Sequence, residues 1–571
     1  MDRVSYLNYN FPDNPSFGGQ LVSPVATTSN TPLRQYRDPT ALLVQRKLDY
    51  AKTHRKNYDF YWDFFHRLYR AQHWPNRRVL RGGDWRAFLS VNYTFAIIEA
   101  QIAVLFEQEP KPYVVPNSFE QYMSAHTMQA GLDSVWYDQK VAEKAEESVR
   151  SSMIFGTGFV KAWYDPSMHN KQGGVRVSVL DPYTVFVDPD ATSFHDAKYI
   201  IEARPQPLEY IRQNYPEKGK YVMADANQAR IKDRAAYSAT AADPYTPFQF
   251  MSPVGDNPLI AGQTEYSTPP YISNAQGQQD YAMLVEMWYR DASKKQEVVD
   301  SIQPNPMDPN LPPVWKQEVV EVDAYPFGRL LHVANGVVLQ DAPSPYRQWP
   351  YVRFVDNATP TEFWGMGEPE LLKDLQQELN KRRSQMVDHA VLMGNAVWII
   401  DKDSGIEPEM LTNKPGLVLY KMQGREVERL PPPPMPSWQV QMVELAIRDM
   451  REITGTSSLP GGTPPRGVRS GSGFEAAQSI ASIRIKTKQR RLESSLIDLS
   501  RIIISHMQQF YTTPRWVRIT GTLGDFQFVP FDGRNFRGDW DIKVQIGDDS
   551  PTAKAARAQQ ALQLYQMGVI P

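Results

Sequence analysis

The sequence predicts an α+β protein of several domains from which a helical arm projects. Its 571 residues, of which 41% are hydrophobic, are enough for several buried cores. Strand-like runs occur before residue 350 and after residue 513. Between them, residues 365–511 read as a helix, a short β segment, a proline-rich piece, a helix, a glycine-rich loop and a long helix. Because one such arm has too little core to be stable alone, we expect copies of the chain to support one another in a ring.

The composition excludes several classes of protein. The net charge of −2 argues against a general nucleic-acid binder, which carries a large basic excess. With no cysteine, the chain has no disulfide, thiol nucleophile or cysteine-based metal site, which fits assembly in a reducing compartment. No run of about 18 apolar residues predicts a membrane span. Residues 1–38 are polar and lack a signal-peptide pattern, and we expect residues 1–40 to form an arm that orders on a neighbour or stays disordered.

Residues 41–365 are predicted to form the α+β body. Residues 41–69 are a helix dense in aromatic side chains, which we interpret as core and interface rather than as a platform for stacking bases. Further helices are expected at 92–108 and, as one long amphipathic helix, at 120–154. Residues 216–279 show little periodicity and predict a long loop. Strands are expected at 159–164, 175–180, 185–187, 199–203, 281–289, 319–322, 330–334 and 337–340.

The turn between the helix predicted at 120–154 and the strand predicted at 159–164 contains two glycines, Gly156 and Gly158. They follow a helix and precede a strand, which is the reverse of the order in a phosphate-binding turn, and a third glycine is missing. We therefore predict a tight helix-to-strand turn and no dinucleotide site.

The helical arm, residues 365–511, is predicted from helical spacing and from the positions of glycine and proline. After Gly367, apolar residues recur at Leu372, Leu379 and Met386 and mark one face of a helix. The β-prone runs 397–400 and 417–420 follow, and we expect their strand edges to pair between subunits. A proline run at 431–434 precedes a helix that begins with Ser437 as its cap and ends at Gly455.

The longest periodic stretch comes after the glycine-rich loop at 457–473. Residues 474–511 predict a helix of about 57 Å. Strands are expected next at 516–520, 526–529 and 542–546, and a final helix at 552–567.

Few residues fit a pattern of catalytic chemistry. The chain lacks a nucleotide-binding Gly-x-x-x-x-Gly-Lys-[Ser/Thr] sequence, a His-Glu-x-x-His sequence and a Gly-x-Ser-x-Gly elbow. One acidic cluster has two interpretations, as oxygen ligands for Mg²⁺ or Ca²⁺ or as turn formers, and its Asp-Pro pairs favour turns: Asp181, Asp188, Asp190, Asp196 and the neighbouring His195. We assign no catalytic residue, no metal site and no cofactor.

Three groups of basic residues are candidates for contact with DNA or with neighbouring subunits. Lys381, Arg382 and Arg383 are consecutive and so fan across their helix. Residues 484, 488 and 491 share one face of the long helix, which we interpret as a solvated face or one paired between subunits: Arg484, Lys488 and Arg491. Arg466 and Arg469 differ, because they lie in a glycine-rich loop without acidic neighbours, which suits weak contact with phosphates whatever the base sequence.

From about residue 85 to residue 571, the chain resembles the portal proteins of tailed bacteriophages. No single segment is specific, but their order and spacing together are. The segments are Phe155-Gly156-Thr157-Gly158, Leu180-Asp181-Pro182, Val187-Asp188-Pro189, Phe363-Trp364-Gly365-Met366-Gly367, Ile453-Thr454-Gly455, Arg469-Ser470-Gly471-Ser472-Gly473, Asp541-Ile542-Lys543-Val544 and Gln566-Met567-Gly568-Val569-Ile570.

The resemblance implies a ring of twelve subunits at one capsid vertex and a division of the chain into named parts. Many members continue with further helices after Gly-Val-Ile, so we expect a short or cut crown here. The parts are an N-terminal arm (1–40), a wing (41–365), a first stem helix (366–394), a clip (395–436), a second stem helix (437–456), a tunnel loop (457–473), a long wing helix (474–512), wing strands (513–550) and the start of a helical crown (551–571).

The resemblance also implies site residues for a DNA channel and its docking surfaces. It places the tunnel loop at Arg466, Arg469 and Ser470, the channel face of the stem at Lys381, Arg382, Arg383, Arg448 and Arg451, and the clip interface at Asp401, Glu407, Lys414, Arg425 and Arg429.

The partners implied are other copies of the chain, double-stranded DNA of any sequence, the large terminase subunit, the major capsid and scaffolding proteins and the head–tail adaptor proteins. The expected location is the virion, after assembly in the host cytoplasm. Two alternatives stay open: a ring-forming tail or adaptor protein, and a metal-dependent DNA-processing enzyme that uses the acidic cluster around Asp188.

Overall fold

The computed structural model describes most of the chain. The described residues are 38–74, 86–116, 122–224, 280–303, 314–394, 397–401, 407, 420, 423–424, 427–430, 435–456, 471–513, 515–520, 526–531, 533 and 541–545. The protein mixes helices with antiparallel sheets, so the predicted α+β class is confirmed. None of the helices in these ranges is both long enough and apolar enough to cross a membrane.

Four helices form one side of the body: α1 (Pro39–Tyr69), α2 (Tyr93–Leu105), α3 (Tyr122–Asp138) and α4 (Val141–Phe155). The Asp38 carboxylate accepts a hydrogen bond from the Thr40 amide (2.9 Å) and so caps α1, where Pro39 can occupy the first position without losing a bond. Trp62 and Phe65 of the aromatic helix are buried in the main core, as predicted.

The single helix predicted at 120–154 is wrong, because the structure has two helices there. Lys140 adopts a left-handed backbone conformation (φ 49°) between α3 and α4. Beside it, the buried Gln139 side chain accepts a hydrogen bond from the Val177 amide (3.3 Å). Both helices turn an apolar face to the same core, so the apolar spacing continues across the break and conceals it.

The strands pair in antiparallel sheets throughout the described ranges. The largest sheet has the order β10-β9-β6-β5-β4, a second sheet has the order β11-β2-β3, and four further pairs are β1-β16, β7-β8, β12-β13 and β14-β15. The strands are β1 (Lys111–Val115), β2 (Thr157–Asp165), β3 (Gly174–Leu180), β4 (Val185–Val187), β5 (Tyr199–Pro207), β6 (Tyr281–Tyr289), β7 (Lys294–Gln303), β8 (Val314–Asp323), β9 (Arg329–Ala334), β10 (Val337–Pro343), β11 (Tyr351–Val355), β12 (Val397–Ile400), β13 (Val427–Leu430), β14 (Arg515–Thr520), β15 (Phe526–Phe531) and β16 (Asp541–Gln545).

Five further helices complete the described structure: the one-turn α5 (Met168–Lys171), α6 (Leu208–Asn214), α7 (Glu368–Gly394), α8 (Ser437–Thr454) and α9 (Gly471–Phe510). Apolar side chains of α7, α8 and α2 share one cluster that includes Leu372, Met450 and Ile97. Helix α8 ends at Gly455 (φ 71°) as predicted, but Ser437 is its first helical residue and provides no side-chain cap, because Pro436 holds the cap position.

Two glycine-containing turns meet where α4 passes into β2 and where the chain enters α7. Gly156 has a φ of 87°, and a Cβ added there would overlap the Gly365 carbonyl oxygen. A Cβ added at Gly367 would lie 2.7 Å from the Ile154 carbonyl oxygen. The Gly365 amide donates to the Thr157 hydroxyl (2.9 Å). The predicted helix-to-strand turn is therefore present, and its glycines serve a backbone-to-backbone contact across the body.

Replacing Gly156 with alanine tests this contact. Gly156→Ala combines a left-handed backbone with a steric overlap, so we expect a loss of roughly 2–4 kcal/mol in the free energy of unfolding. Gly424→Ala is the matched control, because Gly424 has a similar φ of 84° and nothing within 4 Å of an added Cβ. We expect about 1 kcal/mol there. Equal losses in urea unfolding of the two variants would show that the contact contributes nothing.

Candidate functional site

The acidic cluster around Asp188, whose two interpretations are metal ligands and turn formers, lies in turns of the chain. Asp181 accepts a hydrogen bond from the Tyr183 amide (3.2 Å), and Asp196 accepts from the amides of Thr192 (2.8 Å) and Ser193 (2.7 Å). The buried Asp188 accepts from the Lys198 amide (3.2 Å). These bonds support the interpretation as turn formers. Within the described ranges, no three His, Cys, Asp or Glu side chains are grouped so that they could hold a metal ion.

A buried arginine holds the same turn from the other side. Arg55 of α1 donates to the carbonyl oxygens of Pro182 (3.2 Å) and Tyr183 (2.9 Å), and its guanidinium lies 3.8 Å from the centre of the Phe186 ring. Asp59 pairs with it at 2.8 Å. The segment with the two Asp-Pro pairs is thus fastened to α1 and serves the packing of the body.

The basic residues expected on the stem lie on α7 and α8 with different surroundings. Lys381, Arg383 and Arg448 are exposed, and Arg451 is half-buried. Arg382 forms an ion pair with Glu378 (2.7 Å), and its guanidinium lies 6.0 Å from the centre of the Trp438 ring. The three consecutive residues therefore differ in exposure and pairing, and the charge of Arg382 is already compensated.

The other predicted site residues are described only in part. Arg466, Arg469, Ser470, Lys414 and Arg425 lie outside the described residues. Asp401 and Glu407 are exposed, and the backbone of Arg429 pairs with that of Trp398.

The described strands of the predicted clip pair within one chain. Strand β12 lies beside β13, so the partner that completes this ladder belongs to the same subunit. The pairing between subunits expected for the clip strands stays a prediction for the outer edges of this pair.

The structure also reveals a charged centre at the root of the arm. The Lys488 ammonium of α9 lies 2.5 Å from an oxygen of Asp356 and also contacts the Glu368 carboxylate. It donates a third hydrogen bond to the side-chain oxygen of Gln101 (3.1 Å). All four side chains are buried. We call these four residues the Lys488 centre.

The Lys488 centre joins the two ends of the α7–α8 arm to the body. Glu368 is the first residue of α7, and Asp356 directly follows β11. The side-chain amide of Gln101, on α2, donates to the carbonyl oxygen of Thr454, the last residue of α8, at 3.1 Å. One ammonium group thus fixes both the start and the end of the arm against the long helix.

The sequence contains one signal for this centre, a lysine on the apolar stripe of the long helix. Lys488 falls three residues after Ile485 and four before Leu492, on the buried stripe of α9. Its assignment to a solvated or intersubunit face is wrong, because both of its carboxylate partners belong to the same chain. Arg491 lies next to it and donates to the carbonyl oxygen of Asp356.

The charges of the centre do not balance. Burial, and then the neighbouring Glu368, raise the pKa of Asp356 to about 7, although Lys488 acts in the opposite direction. Burial opposes the charge of Lys488, but Asp356 and Glu368 raise its pKa. Two carboxyl groups therefore face one cation that stays charged, and Asp356 can hold a proton near neutral pH.

Removing the cation should destabilise the fold strongly. Lys488→Met leaves two buried carboxyl groups without a counter-charge, so we expect a loss of about 3–5 kcal/mol in the free energy of unfolding near pH 8. Lys486→Met is the matched control, since Lys486 is exposed on the same helix. Adding Asp356→Asn to Lys488→Met should recover part of the loss in urea unfolding. A Lys488→Met variant as stable as its control would contradict the role of the centre.

Asp356 should make stability depend on pH in a definite direction. Its ordinary pKa of 3.8 rises to about 7 in the folded protein. Between these values the folded state holds a proton that the unfolded chain releases, so the free energy of unfolding should fall as the pH rises from about 4 to about 7.

Asp356→Asn should flatten this dependence, measured as urea midpoints between about pH 5 and about pH 8. Asp374→Asn, which changes an exposed carboxylate of α7, should keep the slope of the parent protein. Parallel slopes for all three proteins would rule out Asp356 as the titrating group.

Comparison with known proteins places the chain in a family. A search of curated proteins found no match. The family model of the phage P22-like portal protein matches residues 43–571, which includes the glycine turns, the arm, the Lys488 centre and the long helix. The expectation drawn from the resemblance is confirmed at this level. The chain belongs to the phage P22-like portal protein family.

Proposed function

We propose that copies of this chain form the ring at one vertex of a phage capsid, where the ring is a channel for DNA during packaging and ejection. Membership of the portal family supports a phage portal role, with a ring of subunits and association with capsid and terminase in general terms. The observation that carries the finer proposal is the arm: two helices leave and re-enter the body at one buried charged centre. A ring of such arms would enclose a passage.

The proposed domain division assigns the described elements as follows. Helices α7 and α8 are the stem, residues 395–436 the clip, residues 457–473 the tunnel loop and α9 the helix that crosses the wing. The buried anchoring of α7 and α8 supports the division between stem and wing, because Glu368 and Thr454 both mark the boundary.

DNA contact is proposed to be weak and independent of sequence. A channel that lets the duplex slide should make few phosphate contacts, because each contact adds affinity. The chain is nearly neutral, with a net charge of −2. The proposed channel groups are therefore few: Lys381, Arg382, Arg383, Arg448 and Arg451 on the stem, with Arg466, Arg469 and Ser470 in the tunnel loop.

The partners follow from the same proposal. We infer a homo-oligomer of twelve subunits that docks the large terminase subunit at the clip and, later, head–tail adaptor proteins, with Asp401, Glu407, Lys414, Arg425 and Arg429 at that surface. The major capsid and scaffolding proteins would surround the wing. An enzyme that cuts DNA has less support, because three of the four aspartates of the acidic cluster, Asp181, Asp188 and Asp196, accept hydrogen bonds from nearby backbone amides.

Electron microscopy of the purified protein tests the proposal directly. Ring-shaped particles with an open channel are the expected result, and a uniform population of monomers at every concentration would contradict it. Incubation with Mg²⁺ and DNA should leave the DNA uncut. Cleavage that Asp188→Ala abolishes would overturn the purely structural function.

The tunnel loop gives a more specific test. Arg466→Ala combined with Arg469→Ala should leave rings intact but alter DNA packaging or retention, most clearly at low salt, because phosphate contacts weaken steeply as salt rises. The control is Arg46→Ala with Arg212→Ala, which removes two exposed arginines of the body. Loss of rings in the first variant, or behaviour identical to the parent at every salt concentration, would disprove the contact with DNA.

A further inference from the structure

A cleft of about 830 Å³ opens between β11, α9 and the ends of β6 and β9. Its wall contains five arginines against three aspartates, together with the aromatic rings of Phe194, Trp349 and Phe327. The arginines are Arg290, Arg347, Arg353, Arg491 and Arg501, and the aspartates are Asp291, Asp323 and Asp498. We call this the arginine cleft.

The arginines of the cleft are bonded mainly to neutral groups. Arg353 donates to the carbonyl oxygens of Thr192 (3.0 Å) and Phe363 (2.6 Å). Arg290 donates to the Phe194 carbonyl oxygen (3.4 Å) and lies 4.8 Å from the centre of the Trp349 ring.

The positive charge of the five arginines is only partly balanced, since Asp498 pairs with Arg501 (3.4 Å) and Asp196 acts electrostatically on Arg353. Arg491 donates to the Asp356 carbonyl oxygen, and Arg347 is exposed. Among the described residues, neither they nor Arg290 or Arg353 forms an ion pair with a carboxylate, whereas Asp291 is already paired with Arg329 (3.0 Å). The cleft therefore carries excess positive charge and suits an acidic occupant.

A second feature rises from the rim of this cleft. Strands β7 and β8 form a two-stranded ribbon, and neither strand pairs with any other described strand. Each strand has ten residues, a length of roughly 33 Å. The cleft-lining Asp291 and Asp323 lie at the base of the ribbon, so the two features adjoin.

The ribbon exposes apolar side chains on both of its faces. Val298 and Val319 lie opposite each other and are 59% and 63% exposed, and Val320 on the other face is 42% exposed. An isolated two-stranded hairpin is only marginally stable in water. Apart from Asp323, which lines the cleft, the two strands contain four Asp or Glu residues and three lysines, so the ribbon is slightly acidic and the cleft basic.

We propose that, in the assembled ring, the ribbon of one subunit lies in the arginine cleft of the adjacent subunit. A ring needs two different complementary surfaces on every subunit, and the ribbon and the cleft complement each other in charge and in apolar character. The valines would contact the aromatic wall, and the acidic residues would contact the arginines of the cleft. The ribbon offers exposed valines to the aromatic wall as well as carboxylates to the arginines, whereas a phosphate backbone offers only negative charge, so a protein segment fits the cleft better than DNA does. This inference rests on the proposed ring.

Site-directed photocrosslinking tests the contact. Because the chain has no native cysteine, a maleimide labels only the introduced one. Val319→Cys is labelled with a benzophenone maleimide, and rings are assembled from an equal mixture of ¹⁴N and ¹⁵N subunits. Mass spectrometry then identifies the linked peptides. We expect cross-links between chains of different isotope content that join residue 319 to peptides within 344–358 or 491–502, which line the cleft.

A second label and a control keep the result interpretable. Gln296→Cys places the label at another exposed position of the ribbon and should give the same partner peptides if the first label hinders assembly. Tyr137→Cys, at a residue 86% exposed on α3, is the control and should not label the cleft. Rings whose ribbon labels link elsewhere, link only within one chain, or link to DNA would overturn the inference alone. Parent protein that forms no rings would overturn the proposed function together with it.

Discussion

The structure depends on one buried contact, that of Lys488 with Asp356 and Glu368. Removing three ionisable groups from water is costly, and it is offset only where every partner is in place. Any displacement of α7 or of the segment after β11 would leave a buried charge unpaired. An apolar cluster of equal size would tolerate sliding. The charged centre therefore specifies a single position for the arm on the body.

A second buried network repeats this principle inside the body. Lys161 of β2 lies 2.7 Å from Glu202 and 2.6 Å from Glu286, which belong to the five-stranded sheet. The Tyr351 hydroxyl donates to both carboxylates at 3.1 Å. Although burial opposes it, Lys161 and then His332 lower the pKa of Glu286 to about 2.

The two networks are joined by a short strand. Strand β11 carries Tyr351 at its start, and Asp356 follows its last residue. All five residues of β11 pair with β2. The packing of the two sheets and the position of the arm are consequently set by groups on one rigid element.

Local patterns in the sequence account for much of this fold, and contacts distant in sequence account for what was missed. The stripe of Leu372 and Leu379 predicts α7 because spacing alone defines an amphipathic helix. Strand β7 begins with Lys294 and Lys295, and its residues 294–298 are all exposed, so no alternation of buried and exposed residues marks this part of it. The break at Lys140 leaves apolar spacing undisturbed.

The Lys488 centre likewise depends on contacts that are distant in sequence. Lys488 interrupts an apolar stripe, which signals a buried cation, but its partners lie 132 and 120 residues away. Gly156 and Gly365 are both visible as turn residues, but their mutual approach has no local signature. Only the family resemblance connects such separated segments from sequence alone, because it depends on their order and spacing.

Arg491 links the two sites on which the ring proposals depend. It lines the arginine cleft, it donates to the carbonyl oxygen of Asp356, and it lies three residues after Lys488 on α9. If the ribbon of the adjacent subunit occupies the cleft, its carboxylates will act on the guanidinium that also supports Asp356. The subunit contact and the root of the arm then share one side chain. Because linked groups influence each other reciprocally, assembly would restrict the arm, and the position of the arm would alter the strength of the subunit contact.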